Sequence, residues 1–484
     1  VEASALLPSA SPPSGLFSND ARTLGKVGTA DVEAFRELAM AVAEQVDPED
    51  LADRHGSCRD PAEDCLEPLL RGLALDLFRR PLRPDERARY GSLHGLAVAE
   101  TGDFDLGTRL VVEAMLQSPH FLYRIEAEPG PGDAVREVDG YALASRLSFL
   151  FWGRGPDPLL RDLAETGELA RPDVLAAQVD RMIADPRAES VFLAFVDDWL
   201  RLQDLDRVAF DPEVYGPVGD ELRRAIRAEP EALFAELWRD GLPWSTMLTT
   251  REAVLRPELA VIYGLDPADS GAGPTRYDLG GLPERGGILT QAAVIGVQGQ
   301  VTRAQEEAEP SLVHRGKFLL EALFCGTIPP PPNDVANDPS FLASSIGTER
   351  GAAEERAANA RCVVCHEAID PLGLALLPFD NLGRRRSTDA QGLPVDGSGV
   401  FAHPFRDETL AFSGIRELSD HLATDATVQA CLVRQLTQYA WGDPSPTRNA
   451  CLLAELSASL PEAPSFPEVL RAIALHPSYR RIAP

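Results

Sequence analysis

The sequence predicts a mainly α-helical protein of several domains, and three observations carry that prediction. Apolar residues recur at three- and four-residue spacing through most long segments, which is the period of a helix face rather than the alternation of a strand. The chain has 484 residues, so about three domains follow from roughly 100–200 residues each. Hydrophobic residues make up 44% and charged residues 25%, the usage of a soluble globular chain.

Taken in order, residues 31–46 form the first amphipathic stretch. Asp60-Pro61 with Glu63 then offers an N-cap, a proline at the first helical position and an acid in the first turn, predicting a helix from 61 to 79. The Gly/Pro/acidic stretch Glu128 to Asp133 marks one boundary and the polar loop Asp266 to Thr275 another. Between them Leu143, Leu147, Leu150 and Phe151 share a helix face. Leu222 and Ile226 begin a second face that resumes at Leu233, Phe234, Leu237 and Trp238, with a kink or a fresh start expected at Pro230. Pro329 to Pro332 and the Asn/Asp/Ser-rich run to Ser345 predict an extended strap without internal hydrogen bonds. The last segment reads as a helix over 349–361, a cysteine motif, an irregular loop to 413, and helices near 414–424, 426–441 and 467–475. Val428, Leu432, Leu436 and Tyr439 form the apolar stripe of the 426–441 helix. The expected division is a helical N-terminal domain over 1–130, a helical middle domain over 131–300 and a third domain over 301–484.

Charge narrows the function classes. The chain carries 46 basic against 75 acidic residues, a net charge of -29, which repels nucleic-acid phosphates and anionic lipid head groups. No run reaches the ~18–20 apolar residues of a membrane span, since even Tyr141 to Trp152 is broken by Arg146. The chain begins at Val1, so an export signal is expected to have been removed or to lie outside the numbered residues. There is neither a Gly-x-Ser-x-Gly elbow nor a phosphate-cradling glycine loop. Asp396-Gly397-Ser398-Gly399 lacks the alternating acids of a calcium loop and reads as a tight turn.

The chemistry concentrates in Cys362-Val363-Val364-Cys365-His366. Thiols at i and i+3 on a helical turn can add to the two vinyl groups of one haem edge, with the next imidazole under the iron. With seven Cys and eight His in the chain, the pattern is expected by chance only about 0.002 times. A zinc site calls for four clustered ligands, and a dithiol redox motif normally follows a strand. The reading is therefore one covalent haem c, in a C-terminal cytochrome c-like domain with a helix leading into the motif and a later one folding back. All four methionines precede the motif, so His403 and His314 are the candidates for a second axial ligand, with His120, His421, His476 or no protein ligand as alternatives. Arg384, Arg385 and Arg386 are candidates for bidentate pairing with haem propionates, or else a solvated basic patch. The other cysteines are spaced to suggest Cys58 with Cys65 and Cys431 with Cys451, leaving Cys325 single. Two disulfides require an oxidising compartment, periplasmic or extracellular, whereas the alternative is five buried reduced thiols.

Three functions fit these residues. The first is extracytoplasmic electron transfer with a redox protein partner, alone or as a subunit of a complex. The second is a haem-dependent redox enzyme of peroxidase or oxidase type, with an open iron and a small-molecule substrate, for which the large mass before the haem segment speaks. The third is a structural surface-assembly protein with a stapling haem.

Several stretches also carry a family likeness: Phe78-Arg79-Arg80-Pro81-Leu82, Ser118 to Arg124, Leu143 to Trp152, Arg285 to Thr290, His314 to Phe318, Cys325 to Pro332, the cysteine motif, Ile369 to Gly373, Phe379 to Gly383 and Cys431 to Gly442. In that order they resemble the large family of predicted secreted c-type cytochromes built from consecutive domains of unknown function, found mostly in environmental Gram-negative bacteria. The resemblance implies the haem, export and a multi-domain helical build, and it supplies no substrate. Family members often have a longer N-terminal region, sometimes with a second haem motif. Where relatives place Arg after the Tyr439-Ala440-Trp441-Gly442 turn, this chain has Asp443.

Overall fold

The computed structural model describes residue 17 and residues 28–58, 65–126, 135–267, 273–298, 311–328, 348–389, 391–442 and 450–482. The helix start expected at Asp60, the boundary at Glu128 to Asp133, the strap from Pro329 to Ser345 and Asp443 lie outside them, as do 268–272 of the polar loop before Thr275. The described chain is mainly helical, with three two-stranded antiparallel sheets. It divides into two compact units, residues 1–191 with 442–444 and 473–484, and residues 192–441 with 445–472.

In the first unit, helices Thr29–Gln45, Leu66–Leu77, Pro84–Thr101 and Phe104–Leu116 surround a core of Leu69, Leu70, Leu73, Phe78, Tyr90, Val111 and Met115. Local chemistry sets their ends. Pro84 opens one helix with Glu86 accepting from the backbone N–H of Arg83 at 2.8 Å, and Gly102 closes it in the left-handed region. Asp103 caps the next by accepting from Leu106 N–H. The Arg80 guanidinium grips the buried Glu86 through both oxygens and holds its carboxyl down at about 2. A disulfide joins Cys58 to Cys65 at the head of the Leu66–Leu77 helix. Helices Gly140–Trp152, Pro158–Glu165 and Pro172–Ile183 follow. The chain end returns as a strand, Arg481–Ile482, paired with Arg136–Glu137, and Tyr479 donates its hydroxyl proton to the Arg146 carbonyl at 3.0 Å.

The second unit is built on the Asp220–Arg239 helix. It runs on through Pro230, where the sequence suggested a kink or a new start, and buries Ile226, Glu229, Phe234 and Trp238 on either side of the proline. Tertiary packing of both halves outweighs the one backbone bond that the proline removes. Phe192, Phe195, Trp199, Phe234, Trp238 and Phe466 meet with ring centroids 4.8–6.2 Å apart, stacked, tilted or edge-on.

Two differences from the sequence reading concern the C-terminal segment. Residues 375–413 are not wholly irregular, because Gly399–Ala402 and Thr409–Phe412 pair as a hairpin, and a further helix stands at Ala450–Ser459. The second is a correction of the cysteine pairing. Cys431 is joined to Cys325, with Cα atoms 5.4 Å apart, while Cys451 is free and exposed. The Leu312–Phe324 helix ends at Cys325 in the left-handed conformation, and its side lies along Ala426–Trp441, where Cys431 faces it. Spacing of 20 residues between Cys431 and Cys451 placed them close only along the chain, and a helix rises ~1.5 Å per residue.

Candidate functional site

Cys362 is the N-cap of the helix Val363–Leu374, so the motif occupies a helix start and its first turn. The preceding helix, Glu349–Ala358, ends at Asn359, and Cys365 N–H and His366 N–H both donate to the Cys362 carbonyl, at 3.2 and 3.1 Å. Both thiols are free and half-buried. Val364 between them is 79% exposed, so an apolar side chain stands in the open beside the two sulfurs. Among the described residues no group of three or more His, Cys, Asp and Glu is arranged to hold a metal ion.

One turn further on, Asp370 is buried and its carboxylate bridges two partners. Oδ1 lies 2.9 Å from His366 Nδ1, and Oδ2 accepts from Arg356 Nε at 2.7 Å. A carboxylate can only accept, so Nδ1 is the donor of this bond and Nε2 takes no part in it. The ring is thereby fixed in the tautomer and orientation of a metal ligand, the usual role of a carboxylate behind a ligating histidine. Arg356 in turn neutralises Asp370 and retains one buried amino group, Nη2, without a hydrogen-bond partner. In the sequence Asp370 stands within Ile369 to Gly373 with no role of its own, and Arg356 is not among the candidate residues. The signal for Asp370 was its i,i+4 spacing from His366, which puts both on one helix face; nothing in the sequence pointed to Arg356.

The helix itself is held from behind by Leu312–Phe324. A Cβ on Gly316 would stand 2.0 Å from the Ile369 carbonyl oxygen, and one on Gly373 would stand 2.1 Å from that of Leu312. The two backbones therefore touch, and only glycine admits the approach. Arg315, fully buried, donates to the carbonyls of Leu376 and Phe379 at 2.9 and 2.7 Å and locks the chain that leaves the motif helix. Burial pushes its guanidinium down to about 9.

The other singled-out residues are placed as follows. His403 is committed at both nitrogens: Nδ1 accepts from Phe405 N–H at 3.2 Å, and Nε2 lies 3.2 Å from Asp425 and 3.3 Å from Arg406 Nε. His314 is exposed in the first turn of the helix Leu312–Phe324, which buries Leu312, Arg315 and Gly316. Arg384 binds Asp380 at 2.7 Å and covers the Tyr215 ring. Arg385 binds Glu284 at 2.6 Å, and Arg386 donates to the Leu377 carbonyl at 2.9 Å. Each arginine of the triplet thus has a partner within the protein. Asp396 accepts from Ser398 N–H at 2.9 Å.

Three segments match known families in succession. Residues 65–126 match PSD5, a protein of unknown function (DUF1595); residues 138–265 match PSD4, a protein of unknown function (DUF1592); and residues 285–389 match PSCyt3, a protein of unknown function (DUF1588). The last of these contains the Cys362–His366 motif. The chain is thus similar to proteins assembled from consecutive domains of unknown function. No curated protein and no solved structure matches it.

Proposed function

We propose that the chain is an extracytoplasmic c-type haem protein acting in electron transfer, with one haem bonded to Cys362 and Cys365 and His366 as an iron ligand. The observation that carries the reading is the Arg356–Asp370–His366 relay directly behind two free thiols. The donor set fits the group: two half-buried sulfurs at i and i+3, an exposed apolar Val364 between them, and an imidazole held at Nδ1 by Asp370 with Nε2 outside that bond. When bound, haem supplies a one-electron iron couple. The protein's own contribution is to hold the proton on Nδ1, keep the ring in place through a buried carboxylate, and fix that carboxylate with Arg356. Two disulfides support an oxidising compartment outside the cytoplasm, and no helix among the described residues is long and apolar enough to cross a membrane. The name of the family matched over 285–389, PSCyt3, points the same way.

The test is direct. Protein made in a host with haem-attachment machinery is run on a denaturing gel and weighed. We expect an in-gel peroxidase stain and the mass of one haem on the wild type, and neither on Cys362→Ser/Cys365→Ser. A wild-type mass equal to the bare polypeptide would sink the proposal.

A second reading, a haem enzyme of peroxidase or oxidase type with an open iron, is favoured by one placement. Both nitrogens of His403 are already engaged, which disfavours it as the sixth ligand. A high-spin oxidised spectrum that shifts with cyanide supports this reading, and a ligand-insensitive low-spin spectrum supports the carrier.

A further inference from the structure

Within the first unit, the chain leaving the Leu66–Leu77 helix, the turn Pro119–Leu122 and the start of the Gly140–Trp152 helix enclose a cavity of about 540 Å³. That is the size of a small-molecule site. Six arginines and three carboxylates line it, which inverts the balance of a chain with 46 basic and 75 acidic residues.

The arginines are not equivalent. Arg80 is matched by Glu86 at 2.8 Å, and Arg146 by Glu126 at 2.6 Å. Arg79 and Arg124 have no carboxylate partner among the described residues, and both stand over the same Phe149 ring, at 5.6 and 5.3 Å from its centroid. Arg79 is 8% exposed and spends its N–H groups on backbone carbonyls, those of Leu77, Phe121, His120 and Tyr123, at 2.6–3.3 Å. Carbonyls satisfy its hydrogen bonds and leave its charge unneutralised. Burial and the Arg124 charge both push the Arg79 guanidinium down from its usual range. Its backbone also sits at φ 62°, a strained conformation in a residue with a side chain that clusters at ligand sites. Two like charges at the wall of one cavity are stabilised by an anion bound beside them.

We propose that this cavity binds a small organic oxyanion, a carboxylate or phosphate monoester with an apolar body, through Arg124 in the field of Arg79. The apolar body lies along Phe78 and Tyr141, which also line the cavity. Arg124 is exposed, so it can be exchanged without disturbing the core.

The experiment is calorimetric titration of the full chain at low ionic strength with phenyl phosphate and with benzoate, using inorganic phosphate and phenol as controls. At least one of the two aryl anions is expected to bind more tightly than either control, Arg124→Ala to weaken it at least tenfold, and Arg124→Glu to abolish it, with thermal midpoints unchanged. Added salt should weaken it further. No heat with either aryl anion, phenol binding as tightly as phenyl phosphate, inorganic phosphate binding as tightly as phenyl phosphate, or equal affinity in wild type and Arg124→Glu would overturn the proposal. None of these outcomes depends on the Cys362–His366 motif.

Discussion

Asp370 sits where a single side chain sets the electronic character of the His366 ring. A buried carboxylate accepting from Nδ1 raises the donor strength of Nε2 and favours the more positive state of whatever the ring ligates. For an iron couple that is the ferric state, so removing the negative charge favours reduction. Asp370→Asn retains the volume and an acceptor oxygen while discharging the group. A charge-assisted hydrogen bond exceeds a neutral one by about 1.4 kcal/mol, which corresponds to ~59 mV for one electron. The expected outcome, on the proposed haem reading, is a higher midpoint potential in Asp370→Asn, by at most about that amount because the hydrogen bond is present in both oxidation states, read by redox titration of the haem band. An unchanged or lower potential would show that the carboxylate does not act on the ligand. The pair is readable in the sequence once His366 is placed on a helix, because residues four apart share a face. Arg356, 14 residues from Asp370, is not, since its arrival depends on how the Glu349–Ala358 helix packs against the motif helix.

At the scale of elements, the motif helix depends on two contacts that side chains would break. Gly316 and Gly373 bring the Leu312–Phe324 and Val363–Leu374 backbones together at distances where a Cβ has no room, 2.0 and 2.1 Å from carbonyl oxygens. The obstacle is backbone, which cannot swing aside, so Gly316→Ala should cost at least the ~1–3 kcal/mol of an overpacked core. The check is a lowered thermal midpoint and, on the proposed haem reading, poorer haem incorporation; a variant as stable as wild type would mean that the helices cross elsewhere. The same Leu312–Phe324 helix is tied to Ala426–Trp441 by Cys325–Cys431, which closes a loop with a sequence separation of 106. In the chain-entropy account a loop of that length is worth about 4–5 kcal/mol. Cys325→Ser/Cys431→Ser should therefore lose most of that stability in denaturant, and Cys451→Ser, at an exposed free thiol, should lose none. Equal losses in the two would restore the pairing that spacing suggested. Sequence spacing found the local pair Cys58–Cys65, separated by 7 residues, because a short loop keeps its ends close. It failed at Cys431, because two helices distant in sequence supplied the neighbour.

Across the whole molecule, the helical character was legible because 3.6-residue periodicity is a local property of the chain, and Leu143, Leu147 and Phe151 do bury one helix face. What spacing could not carry is which distant segments meet, as when Arg481–Ile482 pairs with Arg136–Glu137. Nor could it show which polar residues go inside. Glu229 is the clearest case. It is an acid three residues after Ile226 and four before Leu233, and it is fully buried, accepting from the Tyr263 hydroxyl at 2.5 Å while Ala292 N–H donates to the Tyr263 oxygen at 2.8 Å. Burial pushes its carboxyl up from 4.5 to about 7, against the opposing pull of the Tyr263 bond and the Arg285 charge. The consequence is a stability that depends on pH with a definite sign. Below about pH 4.5 the group is protonated in both folded and unfolded chains and has no effect. Between about 4.5 and 7 the unfolded chain releases this proton while the folded chain keeps it, so stability falls as pH rises, by ~1.4 kcal/mol per unit and ~3 kcal/mol in all. Above 7 the loss is complete and constant. Other acids titrate in the same range, so the comparison that isolates Glu229 is with Glu229→Gln, which keeps an oxygen for Tyr263 and has no proton to release. Denaturant midpoints taken from pH 5 to pH 8 should fall more steeply for the wild type than for the variant, and parallel profiles would show that Glu229 is ionised in the folded protein throughout.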